Sequence, residues 1–111
     1  MANADFYCMH SDLCKTLANA KRQQILGTLR DREMTVGELT EATGFTQSNV
    51  SQHLTILRGK GIVRARRQGK YAYYSITNPK IIQAFDLITE VMQESWQVES
   101  RAAGGDADPA E

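Results

Sequence analysis

The spacing of apolar residues changes once along the chain, after Gly61, and this change restricts the possible folds most strongly. Before Gly61, apolar residues recur every three or four positions, which is typical of amphipathic helices. After it, two short runs rich in β-branched and aromatic residues, 62–67 and 71–76, flank a turn at Gly69 and predict a β-hairpin. Helical spacing returns over about 78–98. We therefore expect a mainly α chain with one β-hairpin, in the α+β class.

Capping residues mark the ends of three of the four helices before the hairpin. Thr35 and Glu38 have the spacing of a capping box, and Gly44 supplies the left-handed residue that ends a short helix. Thr46 can cap the next helix, which stops at Gly59. The predicted helices cover about 5–18, 19–30 with Asn19 as cap, 35–44 after an extended piece at 34–36, and 46–59; Asn78-Pro79 begins the last helix.

The order helix, helix, short helix, turn, helix, hairpin, helix is that of a winged helix-turn-helix. In that fold the second helix of the turn enters the major groove of DNA, and the hairpin forms the wing. The 111 residues are enough for one domain of ordinary size. We predict a DNA-binding and dimerisation domain over residues 1–100. A disordered tail is expected over residues 101–111, where Ala, Gly, Asp and Pro residues have nothing to bury.

The charges are distributed unevenly, although the formal net charge is zero, with 13 Lys and Arg against 13 Asp and Glu. No Asp or Glu occurs between Ala42 and Phe85. The basic residues in that stretch are Arg58, Lys60, Arg64, Arg66, Arg67, Lys70 and Lys80. This region of a neutral protein is therefore electropositive, and a polyanion is the expected partner. The alternative is a basic face that only maintains solubility.

The helix that begins at Thr46 opens with short or amide-bearing polar residues and no acid. Such side chains approach base edges and phosphates closely, and Asn and Gln can bond adenine at two positions. On the hairpin, Arg66, Arg67 and Lys70 surround the tip and suit a phosphate backbone or a minor groove. The predicted DNA-binding residues are Thr46, Gln47, Ser48, Asn49, Ser51, Gln52, His53, Thr55, Arg66, Arg67 and Lys70. For His53, a bond to the body of the protomer is the alternative.

Three segments, taken in order and with their spacing, resemble the ArsR/SmtB family of bacterial transcriptional repressors. They are LANAKRQQIL at 17–26, SNVSQHLTIL at 48–57, and GIV at 61–63 with GKYAYY at 69–74. The resemblance covers about residues 10–97. It implies a homodimer formed through the first and last helices, a pseudo-palindromic operator in double-stranded DNA, and release of the DNA when an inducer binds. The apolar stripes of the terminal helices favour a dimer independently, because one small domain cannot cover them.

The inducer sites known in this family are missing from the matching positions. Residues 35–40, where many arsenic, lead and cadmium sensors have Cys-x-Cys, contain no thiol. Residues 78–98, where zinc and nickel sensors have Asp and His ligands, contain no His. The cysteine pair of the sulfide and persulfide sensors, one in the second helix and one in the last, is also missing.

The remaining sensor candidate is the group Cys8, His10, Asp12 and Cys14 in the first helix. Cys8 and Cys14 lie about 120° apart around an intact helix and about 9 Å along it, so they cannot form a disulfide there without unwinding. His10 and Cys14 are four residues apart and share a face, as do Cys8 and Asp12, so each pair could supply two metal ligands. Three interpretations stay open: structural cysteines, a redox or persulfide switch, and a site for zinc, cadmium or arsenite completed by other ligands.

Other classes of protein have weaker support in the sequence. The chain has only two His residues, and neither has a Ser or Cys partner in a catalytic spacing, so an enzyme is not expected. A winged-helix module that binds protein instead of DNA would be expected to have acids on the helix that begins at Thr46 or an apolar hairpin. Neither feature appears in the sequence. No apolar run approaches the length of a membrane span, and residues 1–10 do not look like a secretion signal, so we expect a cytoplasmic protein without membrane contact.

Overall fold

The computed structural model describes the backbone of residues 3–102 and the side chains of residues 3–96. Within that range the helices and the hairpin follow one another in the predicted order. They are α1 (Ala4–Leu17), α2 (Ala20–Thr28), α3 (Val36–Thr43), α4 (Gln47–Gly59), β1 (Val63–Gln68), β2 (Tyr71–Ile76) and α5 (Lys80–Ala102).

The predicted caps are confirmed in α2, α3 and α4. Asn19 Oδ1 accepts a hydrogen bond from the backbone N–H of Arg22 at 3.0 Å, at the start of α2. The capping box of α3 is complete, with Thr35 N–H to Glu38 Oε1 at 2.9 Å and Glu38 N–H to Thr35 Oγ1 at 3.1 Å. Gly44 ends α3 with φ at 78°. These local bonds satisfy backbone groups that a helix end leaves unpaired, so the chain itself sets the limits of the helix-turn-helix.

The hairpin is antiparallel, with Arg66 opposite Tyr73 and Arg67 opposite Ala72. Gly69 is the first residue of the two-residue turn, and its φ of 62° is the positive value that tight hairpin turns require at this position. Met34 extends the sheet by one bridge to Tyr74, with backbone bonds of 2.8 and 3.0 Å. The expected extended piece at 34–36 is therefore shorter than predicted, because Val36 is already the first residue of α3.

The core of residues 3–79 lies between α2, α3, α4 and the start of β1. Its side chains are at most 4% exposed in Ile25, Leu26, Leu29, Leu39, Val50, Leu54, Leu57, Ile62 and Val63. Burying each such side chain stabilises the fold by about 1.5–3 kcal/mol. The same apolar residues that mark α4 in the sequence thus fix it to the domain.

α5 belongs to a second compact unit, which begins at Lys80. It starts one residue after the predicted Pro79 and continues beyond Val98, its predicted end, to Ala102. The first two residues of the predicted tail are therefore helical, and the rest of it, residues 103–111, lies outside the described residues. Within the described residues, no helix combines the length and the apolar character needed to cross a bilayer.

Candidate nucleic-acid interface

The recognition helix α4 has one buried face and one exposed face. Val50, Leu54 and Leu57 are at most 1% exposed and fix the helix to the core. The exposed stripe follows the spacing i, i+3, i+4, i+7 on the other side. It consists of Ser48, Ser51, Gln52 and Thr55, all of which are exposed. A continuous row of small polar and amide side chains therefore faces away from the domain along two turns.

Two hydroxyl groups of this region already form bonds within the helix, which restricts how they can meet DNA. Thr55 Oγ1 donates to the backbone carbonyl of Ser51 at 2.9 Å, so its oxygen is left to accept only. Thr46 Oγ1 accepts from the backbone N–H of Asn49 at 3.1 Å, so its proton is left to donate. Gln47, the first helical residue, is exposed beside the Thr46 cap.

His53 and Asn49 lie on a flank of α4 and are only partly exposed. The His53 Nδ1 is 3.4 Å from Nη1 of Arg22, a residue of α2. Burial, followed by the positive charges of Arg22 and Lys21, lowers the pKa of the His53 imidazole below its usual value of 6.5. The ring therefore contacts the body of the protomer in its neutral form, which is the alternative expected for this residue.

Arg66, one of the three predicted wing contacts, is held by the protein itself. Its Nε and Nη2 donate to the two carboxylate oxygens of Glu33 at 3.0 and 2.8 Å, and its Nη1 donates to Gln68 Oε1 at 2.6 Å. The guanidinium also lies 5.0 Å from the centre of the Tyr73 ring. The hydrogen bond from Arg66 lowers the pKa of the Glu33 carboxyl, and the same bond raises the pKa of the Arg66 guanidinium.

Arg67 and Lys70 are more accessible at the wing tip. Both are exposed, and the Lys70 ammonium lies 5.7 Å from the centre of the Tyr71 ring. Within the described residues, neither forms an ion pair with an acid. Arg58 and Arg64 are exposed as well. Both lie in the acid-free segment 42–85, although neither is among the predicted DNA-binding residues.

The candidate sensor residues lie on α1, and Cys8, His10 and Cys14 are all exposed. Cys14 Sγ is 3.7 Å from His10 Nδ1, so the predicted sharing of one helix face is confirmed. Neither cysteine belongs to the core of the described protomer. Residues 3–96 contain no group of three or more His, Cys, Asp or Glu side chains placed to hold a metal ion. Within residues 3–96, His10 and Cys14 therefore supply two possible ligands and not a complete metal site.

The α3–turn–α4 pair with its adjoining hairpin defines the chain as a winged helix-turn-helix DNA-binding protein. Residues 19–65 match the family model described as "Bacterial regulatory protein, arsR family". The HTH-type regulator Rv0081 of Mycobacterium tuberculosis is 37% identical over 113 residues, covering 96% of this chain and 99% of Rv0081. The chain therefore belongs to the ArsR family of bacterial transcriptional regulators, and this membership confirms that it is not an enzyme.

Two further relatives match over shorter segments. The transcriptional regulator KmtR of Mycobacterium tuberculosis is 42% identical over 79 residues, which are 71% of this chain and 61% of KmtR. The biofilm growth-associated repressor of Xylella fastidiosa is 40% identical over 73 residues, covering 66% of this chain and 64% of the repressor. The chain thus spans less than two thirds of the length of each of these two relatives.

Solved structures show the same architecture. The crystal structure of Rv0081 from Mycobacterium tuberculosis superimposes with a TM-score of 0.79 at 35% identity, covering 87% of this chain and 98% of that one. The homodimeric winged helix-turn-helix domain of Mb0332 from Mycobacterium bovis gives a TM-score of 0.73 at 33% identity, with coverages of 85% and 92%. These likenesses confirm the predicted winged helix-turn-helix fold.

Proposed function

We propose that this protein is a homodimeric repressor that binds an operator in double-stranded DNA and leaves it when Cys8 and Cys14 react. The exposed stripe of α4, Ser48 to Thr55, carries the DNA-binding part of this proposal. The stripe is polar and free of acids, and the chain has no Asp or Glu from Ala42 to Phe85. Phosphates can therefore approach it without repulsion, while the amide and hydroxyl groups meet the base edges.

Exposed apolar side chains on the two terminal helices support the homodimer. On α5, Leu87, Ile88 and Val91 are 62%, 55% and 61% exposed, and on α1, Tyr7 and Met9 are 59% and 74% exposed. Large adjoining apolar side chains are usually covered in a soluble protein. A second copy of the chain is the proposed cover, as in the homodimeric Mb0332 domain. Two recognition helices then meet two half-sites of one operator.

Repression is proposed from the name of one relative, the biofilm growth-associated repressor of Xylella fastidiosa. A dimer seated on an operator hides that DNA from other proteins by occupying it. Release of the dimer is then the regulated step, and a signal needs only to weaken the binding.

The exposed thiols of α1 support control by a thiol-reactive signal. Hydrogen peroxide converts a cysteine thiol to a sulfenic acid, Cys–SOH, with release of one water molecule. His10, whose Nδ1 is 3.7 Å from Cys14 Sγ, is placed to exchange a proton with that thiol. Since α1 is one of the proposed dimer helices, a new polar group there would change the spacing of the two recognition helices.

The second candidate is a metal or metalloid sensor that uses Cys8, His10 and Cys14. The closeness of Cys14 Sγ and His10 Nδ1 favours it, because the pair presents one sulfur and one nitrogen toward a common point. Such a pair suits zinc or cadmium, and thiolates suit trivalent arsenic. The remaining ligands would come from the partner protomer. A third outcome is that both cysteines are structural and that the inducer, if there is one, binds elsewhere.

Fluorescence anisotropy with a duplex that the protein itself selects from a random pool tests this function. We expect tight binding by the reduced protein, strong competition by the selected duplex and weak competition by a scrambled one. Failure to prefer any duplex over the scrambled sequence would refute operator recognition.

The same assay, repeated with peroxide, an inorganic polysulfide, zinc, cadmium or arsenite, identifies the signal. The thiol switch predicts that peroxide or polysulfide weakens binding and that Cys14→Ser abolishes the effect. Release by a metal or by arsenite, with peroxide inert, selects the second candidate instead. Unchanged affinity under every treatment means that the cysteines are structural.

A further inference from the structure

Arg22, at the start of α2, lies between α1 and the recognition helix and contacts both. Its Nε donates to the backbone carbonyl of Thr16 at 2.7 Å, near the end of α1. Its Nη1 lies 3.4 Å from Nδ1 of His53, on α4. Asn19 caps α2 by accepting from the Arg22 backbone N–H at 3.0 Å, so the base of this side chain is fixed. A single planar guanidinium thus joins the two helices.

The α1 end of this link is the best-anchored part of that helix. Thr16 is the buried residue of α1, with 7% of its surface exposed, and its Oγ1 donates to the carbonyl of Asp12 at 3.2 Å. One turn earlier, Asp12 Oδ2 is 2.6 Å from Lys60 Nζ, at the end of α4. That ion pair is largely exposed and contributes little energy by itself. It nevertheless joins α1 to the capping residue that follows α4.

We propose that Arg22 is a positioning residue of the regulator, which transmits the position of α1 to the recognition helix through His53. The inference rests on the proposed function in one respect, that α4 reads the operator. Cys14 and Thr16 are two residues apart on α1. A change at the thiols that displaces the end of α1 therefore moves the carbonyl that holds Arg22, and with it the flank of α4 that carries His53.

The chemistry of the link requires a neutral imidazole. Nδ1 can accept a hydrogen bond from the guanidinium only while it carries no proton. The charged groups that act on the ring are Arg22 and Lys21, both from α2, and the Thr16 carbonyl of α1 accepts from Arg22 rather than from the ring. Burial and these two cations lower the pKa of His53, so the link is intact at neutral pH. In acid, protonation of the His53 imidazole removes the acceptor and makes the ring repel the Arg22 guanidinium, so the contact between them breaks.

Arg22→Lys separates positioning from a direct phosphate contact. Lysine keeps the positive charge but cannot donate to the Thr16 carbonyl and to His53 from one rigid plane. We expect this variant to bind the selected duplex about two- to thirtyfold more weakly than wild type, the range over which residues that couple two sites act. The dependence of affinity on salt should stay unchanged, because the charge is kept. Wild-type affinity, or a weaker affinity accompanied by a shallower salt dependence, would overturn the proposal.

The ratio of affinities at pH 7.5 and pH 5.2 gives a second readout, which a purely structural role of Arg22 would not move. Wild type should lose affinity in acid, and His53→Asn should lose this pH dependence, because its amide oxygen accepts without titrating. An equal loss in acid for wild type and His53→Asn contradicts the proposal.

NMR on the DNA-free protein tests the link without any operator. The His53 ring should titrate below pH 6.5, and the amide signals around Thr16 should shift at the same midpoint. In Arg22→Lys we expect those amide signals to stop following the ring. If they follow it in both proteins, or in neither, Arg22 is not the link. If no duplex is bound selectively, the proposed function fails, while this titration still decides the role of Arg22.

Discussion

The three basic side chains predicted to contact DNA from the wing differ in whether an acidic residue of the protein already neutralises them. Arg66 is held by both carboxylate oxygens of Glu33, whereas Arg67 is exposed and has no acid partner within residues 3–96. Contact with a phosphate would require Arg66 to leave Glu33 first. We therefore expect the electrostatic part of DNA binding to depend on Arg67 and Lys70 more than on Arg66.

This difference is measurable as a salt dependence. Arg67→Ala should reduce the slope of log affinity against log salt by about 0.9 for each phosphate that the arginine neutralises. Arg66→Ala should change that slope little, because its charge is already neutralised by Glu33. Glu33→Gln is the complementary variant and should steepen the slope by releasing Arg66. Equal reductions in Arg66→Ala and Arg67→Ala would show that Arg66 leaves Glu33 in the complex.

Gln52 tests whether the exposed stripe of α4 reads bases. Its amide can bond a base at two positions, and replacing Gln52 by Ala should cost about 1–3 kcal/mol of binding and relax the preference at one position of each half-site. Selection of preferred duplexes by both proteins from the same random pool measures this. A uniform loss across all sequences would instead assign Gln52 to the backbone of the DNA.

The elements of the helix-turn-helix illustrate what the sequence predicts well. The capping box of Thr35 and Glu38, and the caps at Asn19 and Thr46, depend on residues three positions apart, and all of them form as predicted. The cap of α1, in which Asn3 accepts from the Phe6 N–H at 2.9 Å, has the same spacing but was not predicted. Local chemistry of this kind is visible in the order of residues because no distant partner takes part.

Two glycines provide a matched test of the turn. Gly44 has φ at 78°, and a Cβ added there would meet no atom within 4 Å. Gly44→Ala should therefore destabilise the protein by the conformational cost alone, about 1–2 kcal/mol. Gly27 lies inside α2 with similar space around it, so Gly27→Ala should stabilise by about 0.5–1 kcal/mol.

Urea unfolding of both variants measures the free energies. Gly44→Asn is the control for steric effects, since Asn adopts the left-handed region more readily than Ala and should recover part of the loss. If Gly44→Ala proved as stable as wild type, the strain at this turn would be absent. A loss on Gly27→Ala would mean that the exposed face of α2 is covered by something that the extra methyl group displaces.

The side-chain contacts between residues far apart in the chain could not be predicted from the sequence. Asp12 and Lys60 are 48 residues apart, Arg66 and Glu33 are 33 apart, and Arg22 and His53 are 31 apart. Periodicity places each residue on a face of its own element, but only the packing of the elements brings two faces together. The sequence therefore predicted the recognition helix and the wing, and missed that Arg66 is neutralised.

The dimer proposed for this regulator depends on the apolar stripe of α5. Val91→Glu introduces a charge where 61% of the native side chain is exposed in the single protomer. Burying that charge in an apolar interface costs far more than leaving it in water. We expect sedimentation velocity to show a dimer for wild type and a monomer for Val91→Glu.

Gln93→Glu adds the same charge on an exposed position away from the stripe and should remain dimeric. Loss of the dimer should also weaken operator binding by about 100-fold, because each half-site is then bound independently and the gain in effective concentration disappears. If Val91→Glu stayed dimeric with native affinity, the subunits would have to meet through α1 or another surface. If both variants became monomeric, net charge on α5, rather than its apolar stripe, would control the association.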